Sequence, residues 1–194
     1  AKNLVGAFYQ PKGVFADVQS LATLGKRELA EGWAEAIKHG FILDASLVDV
    51  FEEHAEALMG VEPEITTEVI RRSMAIKANV VSQDEKETLG IRIMLNYGHT
   101  IGHALESSTE YGRFLHGEAV AVGMMGAASM AQEMGLHSQE LVDRQRRLLE
   151  RFATTEADRQ LVLKAVRQMI DVQHLMYDDI YRHVMDLADE SAAA

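Results

Sequence analysis

Prolines are nearly absent from this sequence, and their scarcity strongly restricts what the chain folds into. Only Pro11 and Pro63 occur in 194 residues, so few positions interrupt a helix by removing a backbone N–H donor. Long stretches between glycine-containing breaks carry apolar residues at helical spacing. The sequence therefore predicts a mainly α protein, a multi-helical bundle of about seven or eight helices.

The predicted helices follow one another along the chain. They cover about 26–42, 46–58, 64–84, 91–107, 117–135, 138–152, 155–170 and 174–188. Before them, the run GVFADV at residues 13–18 follows a Pro-Lys-Gly turn signal and predicts one short N-terminal strand or an extended lead-in. Because a lone strand needs a partner, we expect its sheet to lie in another part of the protein.

Charge and cysteine content exclude several functions. The formal net charge of −11 argues against nucleic acid as a partner, because phosphate neutralisation requires clustered Lys and Arg. The chain has no cysteine, so a transition metal must be held by His, Asp or Glu. The same absence is typical of cytoplasmic proteins. The sequence has no run of about 18 consecutive apolar residues, so no membrane span is predicted. Its first residues lack the charged and apolar regions of a signal peptide in their usual order.

The segment LNYGHTIGHALE, residues 95–106, carries two histidines one helical turn apart. In a continuous helix over 91–107, one face would hold Arg92, Asn96, His99 and His103. A solvated helix face normally carries Glu, Lys and Gln, so this face indicates a metal or catalytic site. The alternative is that the histidines are hydrogen-bonded core residues and that Gly98 and Gly102 are helix-packing contacts.

Two further segments carry candidate site residues. FLHGEAVAVGMMGAASMAQEMG, residues 114–135, predicts a central, closely packed helix whose first turn brings His116 near a histidine of the preceding helix. Glu118 in that turn is interpreted as a complement to the helix dipole. In KRELAEGWAEAIKHG, residues 26–40, periodicity predicts a solvated charged face. That face comprises Glu28, Glu31, Glu35 and Lys38.

Together these segments resemble the C-terminal domain of the 3-dehydroquinate synthases. The resemblance covers about residues 1–135 and includes NLVGAFYQPKGVFADV, RELAEGWAEAIKHG, KANVV followed by DEKE, RIMLNYGHTIGHALE, and FLHGEAVAVGM. It implies a catalytic Zn²⁺ (or Co²⁺) site made of Glu35, His99 and His116, a ligand set that leaves positions open for substrate.

The resemblance also implies substrate contacts and a reaction. The implied substrate-binding residues are Asn3, Lys38, Lys77, Arg92, Asn96 and His103. Of these, Lys38, Arg92, Asn96 and His103 are the implied catalytic residues, with His103 a candidate for proton handling or phosphate contact. The implied enzyme is a carbon-oxygen lyase of the shikimate pathway of aromatic amino-acid biosynthesis. It converts DAHP, a phosphorylated seven-carbon keto acid, to 3-dehydroquinate and phosphate through oxidation by NAD, phosphate elimination, re-reduction and an aldol closure.

Parts of the family pattern are missing from the sequence. No glycine-rich phosphate turn follows a strand, so we expect NAD to be held mainly by a separate N-terminal domain, and the chain alone to be inactive. Residues 1–150 are predicted to form the metal and substrate domain, and residues 151–194 a divergent helical extension. His174 and His183 in that extension are interpreted as exposed helix residues rather than ligands.

Three alternatives stay open at this level. The chain is compatible with another sugar-phosphate cyclase, with a polyol dehydrogenase of the same superfamily, or with a non-catalytic helical module that mediates oligomerisation. Family resemblance implies a homodimer.

Overall fold

The computed structural model describes residues 9–109 and 112–152 and contains seven α-helices within them. They are α1 (Lys26–Leu43), α2 (Ala45–Glu53), α3 (Ala55–Met59), α4 (Pro63–Gln83), α5 (His99–Ser108), α6 (His116–Glu133) and α7 (Gln139–Phe152). Two 3-10 helices, Val18–Thr23 and Ile91–Asn96, complete the described elements. The mainly α prediction is confirmed.

The beginning of the described part contains no strand. Residues 13–17 have no regular secondary structure, and Asp17 is extended with φ −83° and ψ 107° before the first 3-10 helix. Of the two sequence alternatives, the extended lead-in is therefore the one observed. The predicted helices at 155–170 and 174–188, with His174 and His183, lie outside the described residues.

One side of α1 builds the core. Its apolar residues Trp33 and Ile37 are 3% and 0% exposed and pack with residues of α2, α3, α4 and α7. The ring of Phe51 lies between the rings of Trp33 and Phe152, with centroid distances of 5.9 and 5.7 Å in edge-to-face geometry. Such aromatic pairs stabilise the fold beyond the effect of burying their apolar surface. This packing fixes the rotation of α1, and hence the direction of its polar side.

Helix α6 is central, as its small residues predicted. It packs against α1, α5 and α7, and Val120 and Val122 are completely buried. Its first turn is held by carboxylates: the Gly117 N–H donates to Glu31 Oε2 over 2.7 Å, and the Leu115 N–H donates to Glu118 Oε2 over 2.8 Å. None of the helices in the described ranges is long and apolar enough to span a membrane.

Two predicted continuous helices are broken, and that prediction was wrong for both. The predicted helix 46–58 divides at His54 into α2 and α3. The predicted helix 91–107 divides into the 3-10 helix Ile91–Asn96 and α5. Arg92 and Asn96 therefore lie in a different element from His99 and His103, and the predicted common helical face is not formed.

Close approach between α5 and α6 explains the second break. Gly98 has φ +81°, a conformation that L side chains rarely adopt. A Cβ atom at Gly98 would lie 2.7 Å from Met124 N and from Val120 O, and one at Gly123 would lie 1.9 Å from Gly98 O. The two backbones therefore touch directly, and Gly98 redirects the chain so that α5 begins at His99.

Candidate metal centre

Helix α1 contributes a glutamate and a buried lysine to the site. Lys38 is 2% exposed, and its Nζ donates to Glu35 Oε2 over 2.7 Å. Glu35 is one-third exposed. The prediction that both belong to a solvated face was therefore wrong for this end of the helix, although Glu28 at the other end is exposed.

Two histidines from different helices face the same oxygen of Glu35. His99 Nε2, in the first residue of α5, lies 3.5 Å from Glu35 Oε1. His116 Nε2, in the first residue of α6, lies 3.8 Å from the same oxygen. Three segments distant in sequence thus bring a carboxylate oxygen and two imidazole nitrogens together.

His103 joins this cluster from its outer side. One nitrogen from each of His99, His103 and His116 lies within 4.8 Å of the other two. The ring centroid of His103 is 5.4 Å from that of His99 and 5.7 Å from that of His116. His103 is exposed, whereas His99 and His116 are partly buried.

The donor set fits a divalent transition metal. Glu35 Oε1 is buried and has no hydrogen-bond partner within the described structure, and a buried unpaired carboxylate oxygen is costly unless a cation satisfies it. Oxygen and imidazole nitrogen are zinc ligands, and a three-residue set leaves a position for substrate. The site therefore has the composition of an open, catalytic metal site.

Charges around Glu35 favour the forms that bind a metal. Burial alone raises the pKa of the Glu35 carboxyl, but the hydrogen bond from Lys38 and the charges of Lys38, His99 and His116 together lower it. Burial and then the charge of Lys38 lower the pKa of His99, against the opposing effects of Glu35 and the Tyr97 carbonyl. An ionised carboxylate and a neutral imidazole are the ligand forms.

Two family models match the chain, and the longer match shows to which family it belongs. Residues 32–176, well over half of the chain, match the family described as 3-dehydroquinate synthase C-terminal, and residues 1–31 match 3-dehydroquinate synthase N-terminal. The chain belongs to the 3-dehydroquinate synthase family. The matched range extends to residue 176, beyond the residues 1–135 over which the sequence resembles the family.

Curated relatives of the family are similar over most of this chain. The 3-dehydroquinate synthase of Citrifermentans bemidjiense is 51% identical over 145 residues, which are 75% of this chain and 39% of the relative. That of a Synechocystis strain is 53% identical over 151 residues, which are 76% of this chain and 41% of the relative. The chain thus spans about two fifths of the length of these relatives.

Two solved structures similar to the chain hold NAD+ and a metal ion. A 2-epi-5-epi-valiolone synthase from Streptomyces hygroscopicus, with NAD+ and Zn2+ bound, has a TM-score of 0.63 and 27% identity over 79% of this chain and 45% of its own. A 2-deoxy-scyllo-inosose synthase, complexed with carbaglucose-6-phosphate, NAD+ and Co2+, has a TM-score of 0.59 and 31% identity over 86% of this chain and 47% of its own.

The remaining residues implied by the 3-dehydroquinate synthase resemblance lie in different places. Arg92 forms an ion pair with Glu87 at 3.1 Å, and Asn96 lines a cavity of about 440 Å³ to which no histidine of the cluster contributes. Neither forms a hydrogen bond or ion pair with those histidines within the described ranges. Lys77, on α4, is exposed. Burial lowers the pKa of Lys38, and the charge of Lys77 lowers it further. Asn3 lies outside the described residues.

Two groups that contact the histidines were not predicted from the sequence. His116 Nδ1 lies 3.2 Å from both carboxylate oxygens of Glu106, and His99 Nδ1 lies 3.3 Å from the Tyr97 carbonyl oxygen. Glu106 follows His103 by three residues, so helical spacing alone was a signal that the two share a face. The Tyr97 contact depends on the chain break at Gly98 and had no such signal.

Helix α1 also carries a histidine, His39, which is buried beside the site. Its ring is 6% exposed, and its Nδ1 lies 2.7 Å from Ser73 Oγ of α4. Burial, and after it the charges of Lys38 and Lys77, lower the pKa of His39 to about 4, while Glu35 acts in the opposite direction. His39 is therefore neutral in the folded protein at physiological pH.

This depressed pKa predicts a loss of stability in acid. In the unfolded chain the His39 imidazole takes up a proton near pH 6.5, but in the folded protein it does so only near pH 4. The stability that neutral His39 gives the folded state is therefore complete above pH 6.5, declines as the pH falls from there, and is lost below about 4. At pH 4.5 the loss should be roughly 2–3 kcal/mol of unfolding free energy. Urea unfolding in the presence of EDTA at pH 7 and at pH 4.5 measures this loss. The His39→Gln variant should lose correspondingly less unfolding free energy between the two pH values. Equal losses in the two proteins would refute this prediction.

Proposed function

We propose that this chain is the metal- and substrate-binding half of a 3-dehydroquinate synthase. In this proposal the complete enzyme converts DAHP to 3-dehydroquinate and phosphate. The supporting observation is that the Nε2 atoms of His99 and His116 lie 3.5 and 3.8 Å from Glu35 Oε1, which is buried and has no hydrogen-bond partner in the described part of the chain. Family membership supports the reaction, because relatives that are 51% and 53% identical carry that enzyme's name.

The proposed metal ligands are Glu35, His99 and His116 rather than the three histidines alone. His103 is close enough to replace Glu35, but that choice would leave the buried Oε1 atom of Glu35 without a partner. With Glu35 as the ligand, His103 is free to face the substrate from its exposed position. When bound, Zn²⁺ or Co²⁺ would polarise the substrate oxygen and NAD would accept and return a hydride.

The chain's own residues then have distinct roles. Lys38 holds Glu35 Oε2 over 2.7 Å and so directs Oε1 toward the histidines. Lys38 and Lys77 supply positive charge for an anionic substrate, and Arg92 does so by exchanging its partner Glu87 for a phosphate or carboxylate. Asn3 and Asn96 are the proposed amide contacts. His103 transfers a proton or binds the phosphate.

The cofactor, assembly and location follow from the same proposal. We infer that NAD is held mainly by a separate domain and that the enzyme is a homodimer. The absence of cysteine supports a cytoplasmic location.

His103→Ala tests both the reaction and the ligand choice. In the chain joined to the NAD-binding domain of a relative, we expect phosphate release from DAHP to fall by about 10²–10⁴, the range for loss of a general acid or base. Zinc content, measured by atomic emission on the same sample, should remain that of the unsubstituted protein. Loss of zinc would contradict the assignment of Glu35, and unchanged phosphate release would contradict the role of His103.

Another sugar-phosphate cyclase is the second candidate, because the two solved structures described above are named as synthases of other products. The same assay separates the two when the product is identified by mass spectrometry and NMR. Formation of 3-dehydroquinate supports the proposal. Rejection of DAHP with turnover of another sugar phosphate supports the alternative, and a stable protein without metal supports the non-catalytic module.

A further inference from the structure

The ring of His116 lies between two carboxylates. Its Nε2 faces Glu35 Oε1 at 3.8 Å, and its Nδ1 lies 3.2 Å from both oxygens of Glu106. Glu106 is in α5, ten residues before His116, and its side chain is only 12% exposed. A carboxylate this enclosed needs a donor, and the Nδ1–H of His116 is a donor within reach.

The Nδ1 atoms of His99 and His116, on the side of each ring away from Glu35, both face an oxygen atom. His99 Nδ1 lies 3.3 Å from the Tyr97 carbonyl oxygen. Because a carbonyl oxygen accepts but does not donate a hydrogen bond, the ring proton of neutral His99 is placed on Nδ1. The Glu106 carboxylate likewise accepts from the Nδ1–H of His116, over 3.2 Å. In both rings the lone pair of Nε2 is then available on the side of Glu35.

We propose that Glu106 is a positioning residue that fixes His116 as the Nδ1–H tautomer and orients its Nε2 toward the metal. This inference rests on the proposed metal site and goes beyond it by assigning a residue outside the ligand set. Carboxylates that accept from the second ring nitrogen of a ligating histidine orient the ring and raise its basicity. Their loss typically lowers metal affinity 10- to 100-fold.

Cobalt titration of the 194-residue chain tests the proposal. Co²⁺ binding is followed by its visible absorption for the unsubstituted chain and for Glu106→Gln, which keeps the shape of the side chain but not its charge. We expect affinity to fall about 10- to 100-fold. Glu118→Gln is the matched control, because Glu118 lies in the same turn as His116 but pairs with Arg27 and the Leu115 N–H. It should bind Co²⁺ as the unsubstituted chain does.

A second measurement depends neither on the variant's folding nor on metal. ¹⁵N NMR of the metal-free, unsubstituted chain should show the His116 ring with its proton on Nδ1. A proton on Nε2, or Glu106→Gln with unchanged Co²⁺ affinity, would overturn the proposal. If the unsubstituted chain and His99→Ala bind Co²⁺ equally, the metal site itself fails. If only the Glu106→Gln result is negative, the site stands and the positioning role does not.

Discussion

Replacing His99 by alanine is expected to lower the Zn²⁺ affinity of the chain by more than about 100-fold, beyond the range for loss of an outer partner. The physical reason is that an open site depends on each of its three protein ligands. Removing His99 leaves Glu35 and His116, because Tyr97 contributes only a backbone carbonyl on the far side of the ring and the exposed His103 would have to shift to replace His99. Competition titration with a chromophoric chelator measures the affinity directly.

Glu35→Gln should weaken zinc binding in the same way, because a neutral amide replaces the charged ligand oxygen. His137→Ala is the matched control, since His137 is exposed near the end of α6 and should leave the affinity unchanged. If His99→Ala binds zinc as tightly as His137→Ala does, the three side chains do not form a metal site, and the enzymatic proposal loses its main support.

The second large effect is expected at Gly123, where α5 and α6 touch. Alanine there would place its Cβ 1.9 Å from Gly98 O, and both helix backbones would have to move apart. We expect the free energy of unfolding to fall by about 3 kcal/mol, the upper range for overpacking. Urea unfolding followed by circular dichroism measures the change.

Gly32→Ala provides the opposite control within the same protein. Gly32 lies in the middle of α1, and an added Cβ would meet no atom within 4 Å. Because alanine favours a helix over glycine by about 1 kcal/mol, this variant should be slightly more stable than the unsubstituted chain. If Gly123→Ala and Gly32→Ala had similar stabilities, the direct backbone contact between α5 and α6 would be contradicted.

Helices were predictable from the sequence because their apolar spacing and caps are local. Two capping hydrogen bonds illustrate this: Asp44 Oδ1 accepts from the Leu47 N–H over 3.2 Å, and Ser138 Oγ accepts from the Leu141 N–H over 3.2 Å. The break at Gly98 was not local in this sense. It depends on the approach of α6, twenty or more residues away in sequence.

The burial of Lys38 shows the same limit at the site. Periodicity places Lys38 opposite the core stripe of α1, but it does not say which segment covers that side. Helices α4 and α6 both pack against α1, and the periodicity of α1 does not predict those contacts. Resemblance to the 3-dehydroquinate synthases, rather than spacing, singled out Glu35. Spacing alone contained a signal for Glu106, but its contact with His116 joins two helices.

A crystal structure of the zinc-loaded chain, with anomalous difference density recorded at the zinc edge, is the most direct test of the proposed site. We predict one peak at about 2.0–2.2 Å from Glu35 Oε1, His99 Nε2 and His116 Nε2, with His103 outside bonding distance. A peak bound by all three histidines with Glu35 unbound, or no peak between α1, α5 and α6, would contradict the account.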